Sequence, residues 1–232
     1  MKRVIVKLSG EALGENGRLF NPDKIDAVAK VLKKAADLGL ELGIVIGAGN
    51  IWRGRQGRDM DGVTADQMGM LGTVINCLYM RDALERAGAQ AEVMSAIEMP
   101  RVCPAYNAHE AVSRMKEGCV MLFAGGSGNP FFTTDTAVVL RAVETKADAI
   151  LLAKNIDGVY DDDPRKNSGA KLIKRISYQK AEDMRLRVMD TAAFALCAEN
   201  RVPVVRVFGL DEPENILKVL QGDDMGTVLY SE

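Results

Sequence analysis

The feature that most constrains this fold is the alternation of short β-branched runs with longer segments of helical period. This order is typical of a parallel sheet whose faces are covered by helices. No internal repeat, low-complexity tract or long linker interrupts the pattern. The sequence therefore predicts an α/β fold, a three-layer αβα sandwich with a mostly parallel central sheet, in a single domain over residues 1–232. Strands are predicted at residues 3–8, 41–47, 91–96, 119–124, 148–153, 203–208 and 226–230.

Several helix boundaries are marked by capping residues. Asn21 followed by Pro22 is a typical helix start, and Gly39 ends the apolar stripe that follows. Asn107 with Glu110 resembles a capping box. The acidic, turn-rich stretch that leads to Gly169 is expected to be irregular. Further helices are predicted at about 64–85, 136–146 and 214–221, with two more between Gly169 and the strand at 203–208.

Charge and cysteine content narrow the class of protein. Lysine and arginine number 30 against 32 acidic residues, and this balance speaks against general nucleic-acid binding. The apolar run at 4–6 is too short for a signal peptide, and no stretch reaches membrane-spanning length, so we expect a cytoplasmic protein without a membrane partner. The four cysteines are widely spaced without a C-x-x-C pair, which predicts reduced, buried thiols rather than zinc ligands or disulfides. They are Cys77, Cys103, Cys119 and Cys197.

Three of the loops that follow predicted strands are rich in glycine. Ligands of open parallel sheets gather beyond the carboxyl ends of the strands, and glycine lets backbone N–H groups approach an anion closely. Each loop taken alone could be a simple turn, but three together predict phosphate binding. The loops are Lys7-Leu8-Ser9-Gly10-Glu11, Gly47-Ala48-Gly49-Asn50-Ile51-Trp52-Arg53-Gly54 and Gly125-Gly126-Ser127-Gly128-Asn129-Pro130.

Familiar nucleotide-binding motifs are missing from these loops. Trp52 stands at the third glycine position of a dinucleotide fingerprint, which argues against NAD. A Walker A loop needs a Gly-Lys dipeptide, and the sequence contains none. The catalytic-loop and D-F-G signatures of protein kinases are also missing. A kinase with this sequence must therefore have another architecture.

Phosphoryl transfer needs cations around the transferred group and accurate placement. Lys7, Arg53 and a divalent metal are the candidate cations, and Asp135 either caps a helix or holds Lys7 in position. An anionic acceptor has no proton to lose, so a general base is dispensable. The single histidine, His109, is accordingly interpreted as a surface residue.

Two acidic features allow more than one interpretation. Asp66 either favours the dipole of a long helix or binds ribose hydroxyls. The run Asp157-Gly158-Val159-Tyr160-Asp161-Asp162-Asp163-Pro164 lacks EF-hand spacing, which leaves a solvated loop or an adenosine pocket.

The same loops carry a resemblance that spans nearly the whole chain. The most specific piece is the octet Gly128-Asn129-Pro130-Phe131-Phe132-Thr133-Thr134-Asp135. With it the sequence resembles the bacterial-type UMP kinases of the amino-acid kinase family. Further matching pieces are Lys7-Leu8-Ser9-Gly10-Glu11-Ala12-Leu13, Gly69-Met70-Leu71-Gly72-Thr73, Met80-Arg81-Asp82-Ala83-Leu84, Met94-Ser95-Ala96-Ile97, Asp157-Gly158-Val159-Tyr160 and Val188-Met189-Asp190-Thr191-Ala192-Ala193-Phe194.

This resemblance implies transfer of the γ-phosphate of ATP to UMP, with an acceptor half at about 1–146 and an ATP half at about 147–232. The implied catalytic residues are Lys7, Arg53 and Asp135. ATP is expected at Lys7, Leu8, Ser9, Gly10, Gly49, Arg53, Lys154, Asn155, Tyr160 and Asp163. UMP is expected at Ala48, Asp66, Ser127, Gly128, Asn129, Pro130, Phe131, Phe132, Thr133 and Thr134.

Other implied properties are Mg²⁺ held mainly by the ATP phosphates without an assigned protein ligand, a homohexamer, activation by GTP, inhibition by UTP and a place in pyrimidine nucleotide biosynthesis. The segment 13–20 is implied to take part in the GTP response. Two alternatives stay open: a kinase of the same fold with a carboxylate or carbamate acceptor, and a noncatalytic nucleotide or oxyanion storage protein.

The sequence departs from the family pattern at two positions. Ala48 replaces a third consecutive glycine, but its backbone amide is retained. Leu152 stands where some members place a second lysine, and Lys154 or the metal is expected to supply that charge.

Overall fold

The computed structural model describes residues 1–15, 17–52, 60–164, 166–184, 186 and 188–231. Its strands are β1 Arg3–Leu8, β2 Glu41–Ile46, β3 Ala91–Ser95, β4 Val120–Ala124, β5 Ala149–Lys154, β6 Val159–Tyr160, β7 Leu172–Ile173, β8 Arg175–Ser177, β9 Val204–Gly209 and β10 Thr227–Tyr230. Its α-helices are α1 Pro22–Asp37, α2 Gly62–Arg86, α3 Ala108–Lys116, α4 Thr134–Thr145, α5 Tyr178–Asp183, α6 Thr191–Glu199 and α7 Asn215–Leu220. A 3-10 helix follows β1 at Gly10–Leu13.

Eight strands form one sheet in the order β3-β4-β2-β1-β5-β9-β10-β8. Neighbouring strands are parallel except β9 and β10, which pair antiparallel. The predicted α/β fold with a mostly parallel sheet is therefore confirmed. The crossover from β4 returns the chain to β5, beside β1, so the carboxyl ends of β1 and β5 lie at a switch point of the topology.

Helices cover both faces of the sheet. Buried side chains of α1, α2 and α7 share one apolar core with the sheet, and those of α3 to α6 share the other. Along β1, Val4, Val6 and Leu8 face the first core and Ile5 faces the second. Because side chains alternate along a strand, Lys7 points to the layer that contains α4.

Local sequence signals account for the helix ends. The Asn21 side chain accepts a hydrogen bond from Lys24 N at 3.3 Å, and Asn107 caps α3 through Glu110 N at 3.1 Å. Gly39 has the positive φ of 80° that ends α1 without strain. His109 is exposed on α3, as expected of a surface histidine. All four cysteines belong to the described residues and are buried free thiols, as predicted.

The expectation of a wholly irregular acidic stretch is wrong. Val159–Tyr160 pairs antiparallel with Leu172–Ile173 to form a small second sheet. Strands of two residues carry no measurable period, so the sequence pattern does not reveal them. Within the described residues, no helix combines the length and apolarity needed to cross a bilayer.

Candidate active site

The centre of the candidate site is an ion pair between Lys7 and Asp135. Lys7 lies near the end of β1 and Asp135 lies in the first turn of α4, and Lys7 Nζ donates to Asp135 Oδ1 at 2.6 Å. Their side chains are only 13% and 16% exposed, so the pair is largely removed from solvent screening. Asp135 does not cap α4, because the Thr133 side chain accepts the Asp135 N–H as the cap.

A second ammonium group lies beside the same carboxylate. Lys154, the last residue of β5, places Nζ 3.6 Å from Asp135 Oδ2 and also donates to the carbonyl of Val188. Burial favours the neutral form of Asp135, but attraction to Lys7 and Lys154 outweighs it and holds the pKa of the carboxyl below its usual value. Burial disfavours the charged form of Lys154 and lowers its pKa. Repulsion by Lys7 lowers the pKa further, and attraction to Asp135 offsets only part of the combined effect.

Strand register explains how Lys154 relates to the departure at Leu152. Lys7 is directly opposite Leu152, which is fully buried in the core beneath α4 and α6. Lys154 lies two residues further along β5 and therefore points to the same face as Leu152. A cation at the end of β5 reaches Asp135 while the sheet interior stays apolar.

The loops after β1 and β2 are in direct contact. A Cβ added to Gly10 would lie 2.3 Å from the Gly47 carbonyl oxygen and 2.8 Å from Gly49 N. No side chain can occupy that space, so glycine at residue 10 is required sterically. The contact brings Ser9, Gly10, Ala48 and Gly49 to one edge of the sheet, beside Lys7.

The octet Gly128 to Asp135 connects β4 to α4 and is anchored by Asp66 on α2. Asp66 Oδ2 accepts the Phe131 N–H at 2.7 Å, and Phe131 has a positive φ of 68°, an uncommon conformation for a bulky residue. Phe131 and Phe132 are 76% and 51% exposed. Backbone strain such as that at Phe131 is found most often at functional sites. Ser127 closes the start of this loop by hydrogen bonds with Asn129 N and O.

Asp190 is a site residue that sequence reasoning missed. It accepts hydrogen bonds from the hydroxyls of Thr133 and Thr136, the latter at 2.9 and 3.0 Å, and caps α6 through Ala193 N at 2.7 Å. It thereby joins the start of α4, which carries Asp135, to the start of α6. Two signals pointed to it without giving it a role: its place before a run of helix-forming residues, which is typical of any helix cap, and its place in the matching piece at 188–194.

Four residues predicted for ATP line neighbouring cavities, and Lys154 lines each of them. Lys154, Tyr160 and Asp163 line a cavity of about 540 Å³ that the apolar side chains of Met184 and Leu186 also line. An adjoining cavity of about 630 Å³ reaches Asp135 and Asp190 and shares Lys154, Leu186 and Val188 with the first.

Asn155 lines a third cavity of about 680 Å³, which shares Lys154, Ile156 and Pro164 with the first cavity. Glu11 lines it as well, and the side-chain amide of Asn155 donates to Glu11 Oε2 at 3.1 Å. Leu8 is fully buried, so only its backbone can reach a ligand. The predicted catalytic Arg53 lies outside the described residues.

Metal binding can be assessed from the carboxylates that surround Lys7. Among the described residues, no cluster of three or more His, Cys, Asp or Glu side chains could hold an ion. Both oxygens of Asp135 already face lysines. A divalent metal beside Asp135 would therefore need most of its ligands from a bound anion rather than from these side chains.

Comparisons with known proteins agree over nearly the whole chain. The model of the amino acid kinase family matches residues 2–207. A uridylate kinase of Pseudoalteromonas atlantica is 48% identical over 231 residues, which cover 98% of this chain and 93% of that protein. A solved UMP kinase of Bacillus anthracis superposes with a TM-score of 0.95 at 38% identity, covering 99% of this chain and 96% of that chain. For a UMP kinase of Ureaplasma parvum the TM-score is 0.93 at 36% identity, with 99% and 98% covered.

Proposed function

Because this chain belongs to the amino acid kinase family, we propose that it transfers the γ-phosphate of ATP to UMP, giving ADP and UDP. The observation that carries the chemistry is that Asp135 bridges two partly buried ammonium groups, those of Lys7 and Lys154, at the ends of β1 and β5. The choice of UMP rests on the uridylate kinase and UMP kinases that the chain resembles.

In the proposed division of labour, the half at about 1–146 binds the acceptor and also contributes the residues that bind the ATP phosphates, and the half at about 147–232 binds the adenosine of ATP. Lys7, Ser9, Gly10 and Gly49 bind the ATP phosphates, and the cavity at Lys154, Tyr160 and Asp163 accepts the adenosine. Leu8, Asn155 and Arg53 complete the proposed ATP set. UMP binds at Ala48, Asp66 and the segment 127–134, where the Phe131 N–H already engages one oxygen of Asp66 and leaves the other for the ribose.

In this mechanism the acceptor phosphate oxygen attacks directly, since it carries no proton that a base must remove. Lys7 and Lys154 compensate the charge that develops on the transferred group, and Asp135 holds both ammonium groups in place before the reaction begins. Mg²⁺ bound through the ATP phosphates would neutralise their charge and hold them in line. A dry, preorganised site makes such charges more effective than they are in water.

A coupled ADP-release assay tests the proposal. We expect turnover with UMP to exceed turnover with CMP, N-acetylglutamate, carbamate and aspartate by at least an order of magnitude. Preference for one of the acids would identify a kinase with a carboxylate or carbamate acceptor. No turnover, combined with thermal stabilisation by nucleotide, would identify a storage protein.

Several further properties are proposed on family resemblance. They are Mg²⁺ dependence, a homohexamer, activation by GTP, inhibition by UTP, a cytoplasmic location and a role in pyrimidine nucleotide biosynthesis. Magnesium dependence is checked by titrating Mg²⁺ and EDTA in the same assay, and regulation by adding GTP or UTP at fixed ATP and UMP.

A further inference from the structure

The long helix α2 buries polar side chains in its middle. Thr73 and Asn76 are 3% and 0% exposed, although a buried hydroxyl or amide destabilises the fold unless it is hydrogen-bonded. Both therefore need specific partners, and neither takes them from the apolar core around them.

Apart from one carbonyl of α2 itself, the partners lie in two different glycine-rich loops. Thr73 Oγ1 accepts the Gly125 N–H at 2.9 Å and donates to Met70 O at 2.6 Å. Asn76 Nδ2 donates to the Gly47 carbonyl at 2.7 Å and to Asn50 Oδ1 at 2.8 Å. Gly47 is the first residue after β2, and Gly125 is the first residue after β4. These strands are neighbours in the sheet, so one helix is hydrogen-bonded to the first residue after each of two adjacent strands.

Gly72 brings the helix directly against the first of these loops. A Cβ added to Gly72 would lie 2.9 Å from the Ala48 Cβ, a distance that real Cβ atoms essentially never reach. The missing side chain on α2 thus accommodates the methyl group of Ala48. Because residue 48 carries a methyl group, residue 72 has room only for the hydrogen of a glycine.

We propose that Gly72, Thr73 and Asn76 form a positioning face, which sets the spacing between the loop at Gly47 and the loop at Gly125. This inference rests on the proposed function, in which the loop at Gly47 contributes to binding both UMP and the ATP phosphates, and the loop at Gly125 leads into the segment that binds UMP. Placement dominates phosphoryl transfer, and a displacement of about 1 Å can lower the rate by roughly 100-fold. The positioning face acts through the loops and touches no substrate.

The first test compares Thr73→Val with Thr73→Ser. Valine removes the acceptor of the Gly125 N–H, so we expect kcat/KM for UMP to fall by about 10- to 100-fold while KM for ATP changes less than about threefold. Serine keeps the hydroxyl and should stay within about threefold of the unchanged protein in kcat/KM for UMP. Thermal unfolding of both variants separates lost folding from lost placement. Equal kcat/KM values in the two variants would overturn the inference.

The second test is a reciprocal exchange that does not depend on Thr73. Gly72→Ala creates the clash with Ala48, so we expect its kcat/KM for UMP to fall by about 10-fold or more. Adding Ala48→Gly removes the clash, and the double variant should recover most of that loss. Failure of the double variant to recover would sink the idea of reciprocal packing. If the unchanged protein does not release ADP with UMP, the proposed function fails. If it does release ADP but the Thr73 and Gly72 variants do not show the losses and recovery expected above, only the positioning face fails.

Discussion

At the residue scale, Asp135 engages two ammonium groups with the two oxygens of one carboxylate. Replacement by asparagine keeps the shape but removes the charge that attracts Lys7 and Lys154. We expect Asp135→Asn to lower kcat by on the order of 100-fold or more, because preorganised charges are then lost from the site. Steady-state kinetics with UMP and ATP give the measurement.

Asp37→Asn is the matched control for that change. Asp37 pairs with Lys33 on the exposed side of α1, and such surface pairs contribute little. Its turnover should equal that of the unchanged protein. An Asp135→Asn variant as active as this control would remove Asp135 from the mechanism.

Lys154 gives a prediction about pH. Its pKa is held below the usual lysine value of about 10.4, because burial disfavours the ammonium. If the charged form is required, activity falls as pH rises through that lowered pKa. Arginine stays protonated, so Lys154→Arg should move the alkaline limb of the kcat profile to higher pH. The exposed Lys34 on α1 supplies the control Lys34→Arg, whose limb should not move. An unchanged limb in Lys154→Arg would count against the assignment.

At the element scale, Asp190 joins α4 to α6. Asp190→Ala removes the cap of α6 and the acceptor shared by Thr133 and Thr136. We expect it to lower the free energy of unfolding by roughly 2 to 3 kcal/mol, and to lower turnover because α4 carries Asp135. Asn107→Ala, which removes only the cap of α3, should lose about 1 kcal/mol and keep its turnover. Denaturant unfolding with parallel assays tests both. Equal losses in the two variants would show that Asp190 is no more than a helix cap.

The elements also show how far the sequence could lead. Lys7 and Asp135 were predictable because each stands beside a glycine-rich loop after a strand. The hydrogen-bonded residues Asp190 and Thr133 lie 57 positions apart in the sequence, and Thr73 and Gly125 lie 52 positions apart. No local pattern encodes such pairs, because hydroxyl and carboxylate groups are suited to many surface positions. The long strands carried enough β-branched residues to be located, whereas β6 and β7 were too short.

At the scale of the whole molecule, α2 presents an apolar stripe to its outside. Met68, Leu71 and Ile75 are 37%, 49% and 48% exposed and follow helical spacing along one face. The proposed oligomer would bury such a stripe. We expect Ile75→Glu to reduce the mass measured by light scattering, because a carboxylate opposes burial of that face. Leu38→Glu, at the exposed end of α1, should leave the mass unchanged. An unchanged mass in both variants would place any subunit contact elsewhere.

The pairing of β1 with β5 has a consequence for how the chain reaches its native state. Strand β1 lies at the very beginning of the sequence, yet one of its two neighbours is not made until residue 154 has been synthesised. Lys7 and Asp135 are likewise 128 positions apart. Closing such long loops makes the pairing slow compared with local helix formation. On the ribosome the first four strands can assemble early, while Lys7 meets Asp135 and Leu152 only after those later parts of the chain have been synthesised.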